Sequence, residues 1–248
     1  MNVLKIEHVD FSYDDEKVVN DVSLSFRKGD FAAFVGPNGS GKSTLIKMIT
    51  GNLKPDAGEI KVFDQSVDKV KDWTKIGYIS QEVRDFNQSF PATVREIIAS
   101  NLYGKMGLIK VMTSSLESEI LKALKLVDME NFINRKIGNL SGGQQQRVFI
   151  ARMMVNDPEL ILLDEPLVGV DIKAQDDFYQ IIGDINHNLG KTVIMVSHDV
   201  NLISMQANKI VCFEEGKAYP HKSDDFSYDH YIEGLRDTSI RILPEHGH

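Results

Sequence analysis

The sequence has one cysteine, Cys212, so no disulfide can form within the chain. Its neighbours Ile210, Val211 and Phe213 read as a buried strand, which favours an inert core thiol and leaves a reactive or metal-binding role as the alternative. No apolar run approaches the roughly 18 residues that a helical membrane span needs. Residues 1–8 carry Lys5 and Glu7 where a secretory signal would be apolar. These absences point to a chain that stays in the reducing cytosol and meets a membrane only through a partner that spans it. Basic charge is also in deficit: 28 Lys and Arg against 36 Asp and Glu, a net charge of -8. A broad nucleic-acid-binding face needs the opposite balance, so no nucleic-acid partner is expected. There is no internal repeat and no low-complexity segment to suggest a solenoid or a disordered chain. What remains is a chain of 248 residues, 42% hydrophobic and 26% charged, sized for one α/β domain with an insertion.

Apolar and polar residues alternate up to about residue 30, as in Val3-Leu4-Lys5-Ile6-Glu7 and Val22-Ser23-Leu24-Ser25-Phe26, the pattern of half-buried antiparallel strands. Phe31-Ala32-Ala33-Phe34-Val35 is a continuous apolar run, consistent with a strand buried on both faces. A glycine-rich turn and a helix near 44–49 follow it. After Gln81 the pattern turns helical. Thr93 and Glu96 have the spacing of a capping box, and residues 116–127 show apolar residues at helical spacing. From about residue 159 strands and helices alternate again: a strand at 160–163, a helix near 173–188, a strand at 192–196, a helix near 200–207 and a strand at 209–213. Such alternation implies a mainly parallel sheet. We expect a core of residues 1–81 and 156–215, a helical lobe at 82–155 and a polar tail at 216–248 whose structure the pattern leaves unassigned.

The turn Gly36-Pro37-Asn38-Gly39-Ser40-Gly41-Lys42-Ser43 fits the P-loop pattern and runs into Thr44. Glycines let the backbone curl until successive N–H groups point at phosphate oxygens, and the following helix adds its positive N-terminus. Lys42 supplies a mobile cation for the outer phosphates, and the Ser43 hydroxyl is placed to ligate Mg²⁺. A glycine turn that merely precedes a helix is the plainer alternative, and the flanking strand and helix weigh against it. Leu160-Ile161-Leu162-Leu163 is an apolar strand that ends in two carboxylates, Asp164 and Glu165. Beside a P-loop, Asp164 suits the metal and Glu165 suits a water that attacks phosphorus.

Leu140-Ser141-Gly142-Gly143-Gln144 matches the short signature of ABC ATPases and precedes the carboxylate strand, in the order that family shows. The chain is therefore identified as resembling the ABC-transporter ATP-binding subunits along nearly its whole length. The resemblance implies a P-loop NTPase core of the ABC ATPase type, α/β, with an N-terminal antiparallel β subdomain and an inserted α-helical lobe. It also implies ATP and Mg²⁺ as ligands. Tyr13 resembles the aromatic that stacks on adenine, and Gln81 the glutamine that senses Mg²⁺ and the γ-phosphate. Asp171 resembles the aspartate that crosses the dimer interface, and His198 the histidine at the γ-phosphate. In isolation Tyr13 is a surface or hinge aromatic, Gln81 a loop amide and His198 a strand-end histidine satisfied by hydrogen bonds; their order relative to the two strong motifs gives them meaning. Leu167 departs from the small hydroxyl residue many relatives carry there, which affects only local loop packing.

By the same resemblance, Ser141, Gly142, Gly143 and Gln144 close on the γ-phosphate held by a second copy of the chain, so that two ATP molecules join two domains head to tail. An integral membrane permease would dock against the lobe, where Phe86, Phe90, Tyr103, Met106, Leu108 and Ile109 supply core and exposed apolar surface. An extracellular substrate-binding protein would act indirectly, and the chain would sit on the inner face of the cell membrane. A soluble ABC ATPase of DNA repair or translation is the competing class, but one cassette and a lobe without sustained heptads argue against it. A P-loop kinase is disfavoured by the signature and the paired carboxylates. The stretches at 90–94, 102–104, 141–152, 169–171 and 175–179 most resemble the ATPases of zinc and manganese uptake, with zinc ahead. His246 and His248 flank a glycine in the polar tail, a pattern more typical of an unstructured end than of a metal site.

Overall fold

The computed structural model describes residues 2–80, 91–106, 111–167, 172–197, 203 and 206–222. Two sheets dominate. The first is antiparallel, with β1 (Asn2–Tyr13), β2 (Glu16–Arg27), β4 (Ala57–Val62) and β5 (Gln65–Ser66) in the order β2-β1-β4-β5. The second contains β3 (Phe31–Val35), β6 (Ile76–Ile79), β7 (Leu160–Asp164), β8 (Thr192–Val196), β9 (Lys209–Glu214) and β10 (Lys217–Lys222). Its order is β10-β9-β3-β8-β7-β6, and all neighbours are parallel except the β9–β10 hairpin.

The alternation in β1 places Leu4 and Ile6 inward, then changes phase so that Val9 and Phe11 point inward. The change occurs at a register shift where His8 takes φ +51°, a bulge that adds one residue and preserves the buried face on both sides. In β3 all five residues are buried because both faces of the central sheet are covered. Phe31, Ala33 and Val35 join a core shared with the helices of the middle segment. Ala32 and Phe34 join one shared with the antiparallel sheet and α1 (Lys42–Ile49). Strands β7, β8 and β9 divide their residues between the same two cores, which explains their unbroken apolar runs.

The middle segment holds α2 (Val94–Ala99), α3 (Ser114–Lys125) and α4 (Gly142–Met154), all packed on one another. Thr93 and Glu96 form the expected capping box at α2. Helix α5 (Ile172–Leu189) then returns to the central sheet. The fold class is the one the sequence implied. Strand β10 is an addition, since the polar tail gave no pattern to reveal it. Of the helix expected near 200–207, only Ile203, Gln206 and Ala207 fall among the described residues; Ile203 is helical and buried. Cys212 is free and buried, and burial together with Glu214 pushes its thiol up to about 12, as an inert core cysteine requires.

Candidate nucleotide site

Strands β3, β7 and β8 lie side by side in one parallel sheet, so their carboxyl ends come together at one edge. The crevice there is where parallel α/β sheets place ligands. The turn after β3 bends through Gly36 at φ +146°, Gly39 at φ +79° and Gly41 at φ +98°. Gly36 lies against the chain: a Cβ there would stand 2.3 Å from the Phe213 carbonyl oxygen. A Cβ on Gly41 would stand 2.6 Å from the Val18 carbonyl oxygen of β2. Both approaches leave room for no residue but glycine. Pro37, Asn38 and Gly39 are exposed at the rim, whereas Ser40 and Thr44 are buried.

Lys42 is only 4% exposed. Its Nζ donates to the carbonyls of Gly36 at 2.9 Å and Pro37 at 2.7 Å, and to Ser40 Oγ at 3.4 Å. Burial lowers its pKa, opposed by the charges of Glu165 and Asp164. The ammonium is thus partly desolvated and held by neutral oxygens, a poised cation for a ligand carrying more charge.

Ser43 Oγ donates to Asp164 Oδ1 at 2.8 Å, which brings together groups 121 residues apart. Asp164 is 3% exposed, and burial raises its pKa; Glu165 adds to the rise while the Ser43 bond opposes it. Glu165 comes next, with φ +47°, a conformation uncommon for a side chain of this kind, and its N–H donates to the Val196 carbonyl of β8 at 3.1 Å. Glu165 follows Asp164 at the carboxyl end of β7, near enough for its charge to act on both Asp164 and Lys42.

Ser141 caps α4. Its Oγ accepts from the Gln144 N–H at 3.3 Å, and Gln144 Oε1 accepts from the Ser141 N–H at 3.1 Å. Gly142 is exposed, and Gly143 presses on α5, where an added Cβ would stand 3.0 Å from Ala174 Cβ. Among the described residues no hydrogen bond joins 141–144 to 36–44. A cavity of about 330 Å³ opens beside the signature turn, lined by Ser141, Gln144, Arg147, Lys173 and Asp177 among others. Tyr13 ends β1, 44% exposed, with its ring edge-on to Phe11 at 4.9 Å. Its hairpin partner strand β2 supplies the Val18 carbonyl that packs on Gly41.

The structure thus unites residues 36–44 with Asp164 and Glu165 and leaves the signature turn on a separate surface. Gln81, Asp171 and His198 lie outside the described residues, as do Phe86, Phe90, Leu108 and Ile109. Tyr103 is 59% exposed, whereas Met106 packs partly against the core, as does Leu167. The sequence reading missed Gln146 and Arg147. Gln146 Nε2 donates to the Pro166 carbonyl at 3.0 Å, and Arg147 Nη2 meets Asp177 at 2.7 Å. Both partners are distant in sequence, and no local pattern could pair them.

The chain matches the ABC transporter family over residues 19–168. It is 40% identical to the zinc uptake system ATP-binding protein ZurA of Listeria monocytogenes, covering 98% of this chain and 93% of that one. It is 37% identical to the high-affinity zinc uptake system ATP-binding protein ZnuC of Bacillus subtilis, covering 88% and 93%. Among solved structures it resembles cbiO1 of Clostridium perfringens, part of the ABC transporter complex cbiONQ, at 25% identity and TM-score 0.80 over 95% of each chain. It also resembles an ATP-binding cassette solved as a dimer in a post-hydrolysis state with ADP and Pi, at 29% identity and TM-score 0.73 over 90% of this chain and all of that one. The chain therefore belongs to the ABC transporter family as an ATP-binding, ATP-hydrolysing subunit.

Proposed function

We propose that this subunit powers a membrane importer for zinc by closing head to tail on a second copy around two ATP molecules. The observation that carries the ATPase site is the Ser43–Asp164 contact at 2.8 Å, at the mouth of the P-loop. It sets a hydroxyl and a buried carboxylate side by side, the hard oxygen donors that Mg²⁺ takes alongside phosphate oxygens. A cation there would offset the burial of Asp164, which raises its pKa against the Ser43 hydrogen bond and the charges of Lys47 and Lys42. Mg²⁺ bound to these residues and to Gln81 would neutralise charge on the β- and γ-phosphates.

Lys42 exchanges its loop carbonyls for phosphate oxygens, with the N–H groups of residues 39–44 around them. Tyr13 stacks on adenine. Glu165 takes a proton from the water that attacks the γ-phosphorus, and His198 contacts the γ-phosphate. The products are ADP and phosphate. Ser141, Gly142, Gly143 and Gln144 complete the site of the opposite copy, with Asp171 crossing between the two. Because both copies hold the γ-phosphate, ATP favours the closed dimer and hydrolysis reopens it.

The permease docks against a helical lobe of residues 82–155, near the exposed Tyr103, and the core comprises 1–81 and 156–215. Among the described residues no helix is long and apolar enough to cross a membrane, which supports a subunit held at the inner membrane face by that permease. An extracellular binding protein delivers the cargo. Zinc rests on kinship: ZurA and ZnuC carry zinc uptake in their names, and both align over most of this chain. Deleting the gene and measuring cell-associated zinc and manganese in metal-poor medium tests it. Zinc should fall; a fall in manganese alone reassigns the cargo, and normal levels of both refute metal import.

A further inference from the structure

We infer that Gln146 is a positioning residue for Glu165, and that through it the signature helix of one chain governs hydrolysis at that chain's own P-loop. This rests on the reading of Glu165 as the base and of Ser141 to Gln144 as the partner-facing turn. The peptide that carries Glu165 is held from two sides. Its N–H donates to Val196 O at 3.1 Å, and the carbonyl of the following residue, Pro166, accepts from Gln146 Nε2 at 3.0 Å. Between these bonds Glu165 keeps φ +47°, a conformation that relaxes unless its surroundings enforce it.

Gln146 lies two residues beyond Gln144 on α4, in the second turn after the Ser141 cap. Helix α4 is therefore a rigid lever with the partner's phosphate at its tip and the Glu165 peptide on its flank. Two further contacts keep it from rolling freely. Arg147 Nη2 pairs with Asp177 of α5 at 2.7 Å, and Gly143 packs closely on Ala174, where an added Cβ would stand 3.0 Å from the Ala174 Cβ. A shift of α4 when the partner's ATP engages the signature turn thus reaches Glu165 through one amide donor. Each ATP site would then sense the other through a contact inside a single chain.

The test is steady-state hydrolysis by the full-length protein across ATP concentrations. Gln146→Met removes the donor and keeps the length. It should lower kcat about 5- to 10-fold, the worth of one partly buried hydrogen bond in the transition state. Half-saturation should stay within about twofold and the Hill coefficient should fall toward one. Gln146→Lys restores a donor and should recover most of kcat and of the cooperativity. In a Glu165→Gln background, Gln146→Met should leave ATP-driven dimerisation within about twofold, since Gln146 acts on the base and not on the signature.

Unchanged kcat and Hill coefficient in Gln146→Met overturn the inference. So does loss of ATP-driven dimerisation in the double variant, which would make Gln146 a prop for the signature turn. If Gln146→Met fails to fold, Gln146→Glu, which keeps the length and replaces the donor by an acceptor, takes its place: a lowered kcat and a Hill coefficient near one support the inference, and a near-normal enzyme refutes it. Normal hydrolysis by Glu165→Gln alone would instead strike the reading of the site.

Discussion

Two glycines of the P-loop and one of the signature turn separate backbone strain from steric contact. Gly39→Ala places a side chain at φ +79° with nothing within 4 Å, so only strain acts. Strain at positive φ is worth about 1–2 kcal/mol, and the stiffer unfolded chain returns about 0.4–1, for a net loss of about 1 kcal/mol. Gly41→Ala meets the same strain at φ +98° and also sets Cβ 2.6 Å from the Val18 carbonyl and 3.3 Å from Val19 Cγ2. Val18 sits in β2 at a register shift, between Lys17 opposite Ser12 and Val19 opposite Phe11, and its carbonyl is backbone, which yields less readily than the end of a flexible side chain. Overpacking of this kind adds about 1–3 kcal/mol, for a total of about 2–4. Gly142→Ala, at the exposed start of α4, has no positive φ and no neighbour within 4 Å, and alanine favours helix by up to about 1 kcal/mol. Urea unfolding without nucleotide should therefore rank midpoints Gly142→Ala at or above the parent, then Gly39→Ala, then Gly41→Ala. Equal midpoints for Gly39→Ala and Gly41→Ala would refute the packing of β2 on the P-loop.

The same geometry sets the outcome of three other substitutions. Lys42→Ala should weaken ATP binding about 30- to 100-fold, the worth of a charge-assisted bond to phosphate, in titrations with a fluorescent nucleotide. Tyr13→Ala should weaken it about 5- to 30-fold through lost stacking while leaving kcat nearly unchanged. Asp164→Asn should abolish hydrolysis yet raise the melting temperature of the nucleotide-free chain at neutral pH. Burial raises the Asp164 pKa, so its contribution to stability is present in acid and lost as pH rises through the folded value. The neutral amide escapes that loss, and the gain in melting temperature should vanish as the carboxyl of the parent becomes protonated.

The features legible in the sequence were local ones. The P-loop and the two carboxylates after an apolar strand each lie within a few residues, so spacing suggested their chemistry, while the signature was legible through its resemblance to the ABC ATPases. The central strands were legible because both faces are buried, which leaves no polar interruption in β3, β7 or β8. Strand β4 escaped notice because its first three residues are exposed and show no alternation. Strand β10 escaped because its polar residues gain order only by pairing with β9. The Gln146 and Arg147 contacts span 20 and 30 residues, and only the packing of α4 against α5 and the Glu165 loop creates them. The second capping box, Ser141 with Gln144, lay inside a motif already given a functional meaning, and the two roles coexist because one end of a helix serves both.

The central claim is that two copies close around ATP and that Glu165 ends the closed state by hydrolysis. Light scattering on Glu165→Gln, with and without ATP and Mg²⁺, tests it most directly. The amide cannot accept the proton, while Lys42, Ser43 and Asp164 remain to hold the nucleotide. The account predicts a monomer without nucleotide and a lasting dimer with ATP, which adding ADP alone does not reproduce. A variant that stays monomeric in saturating ATP, or that turns ATP over at the parent rate, would contradict it.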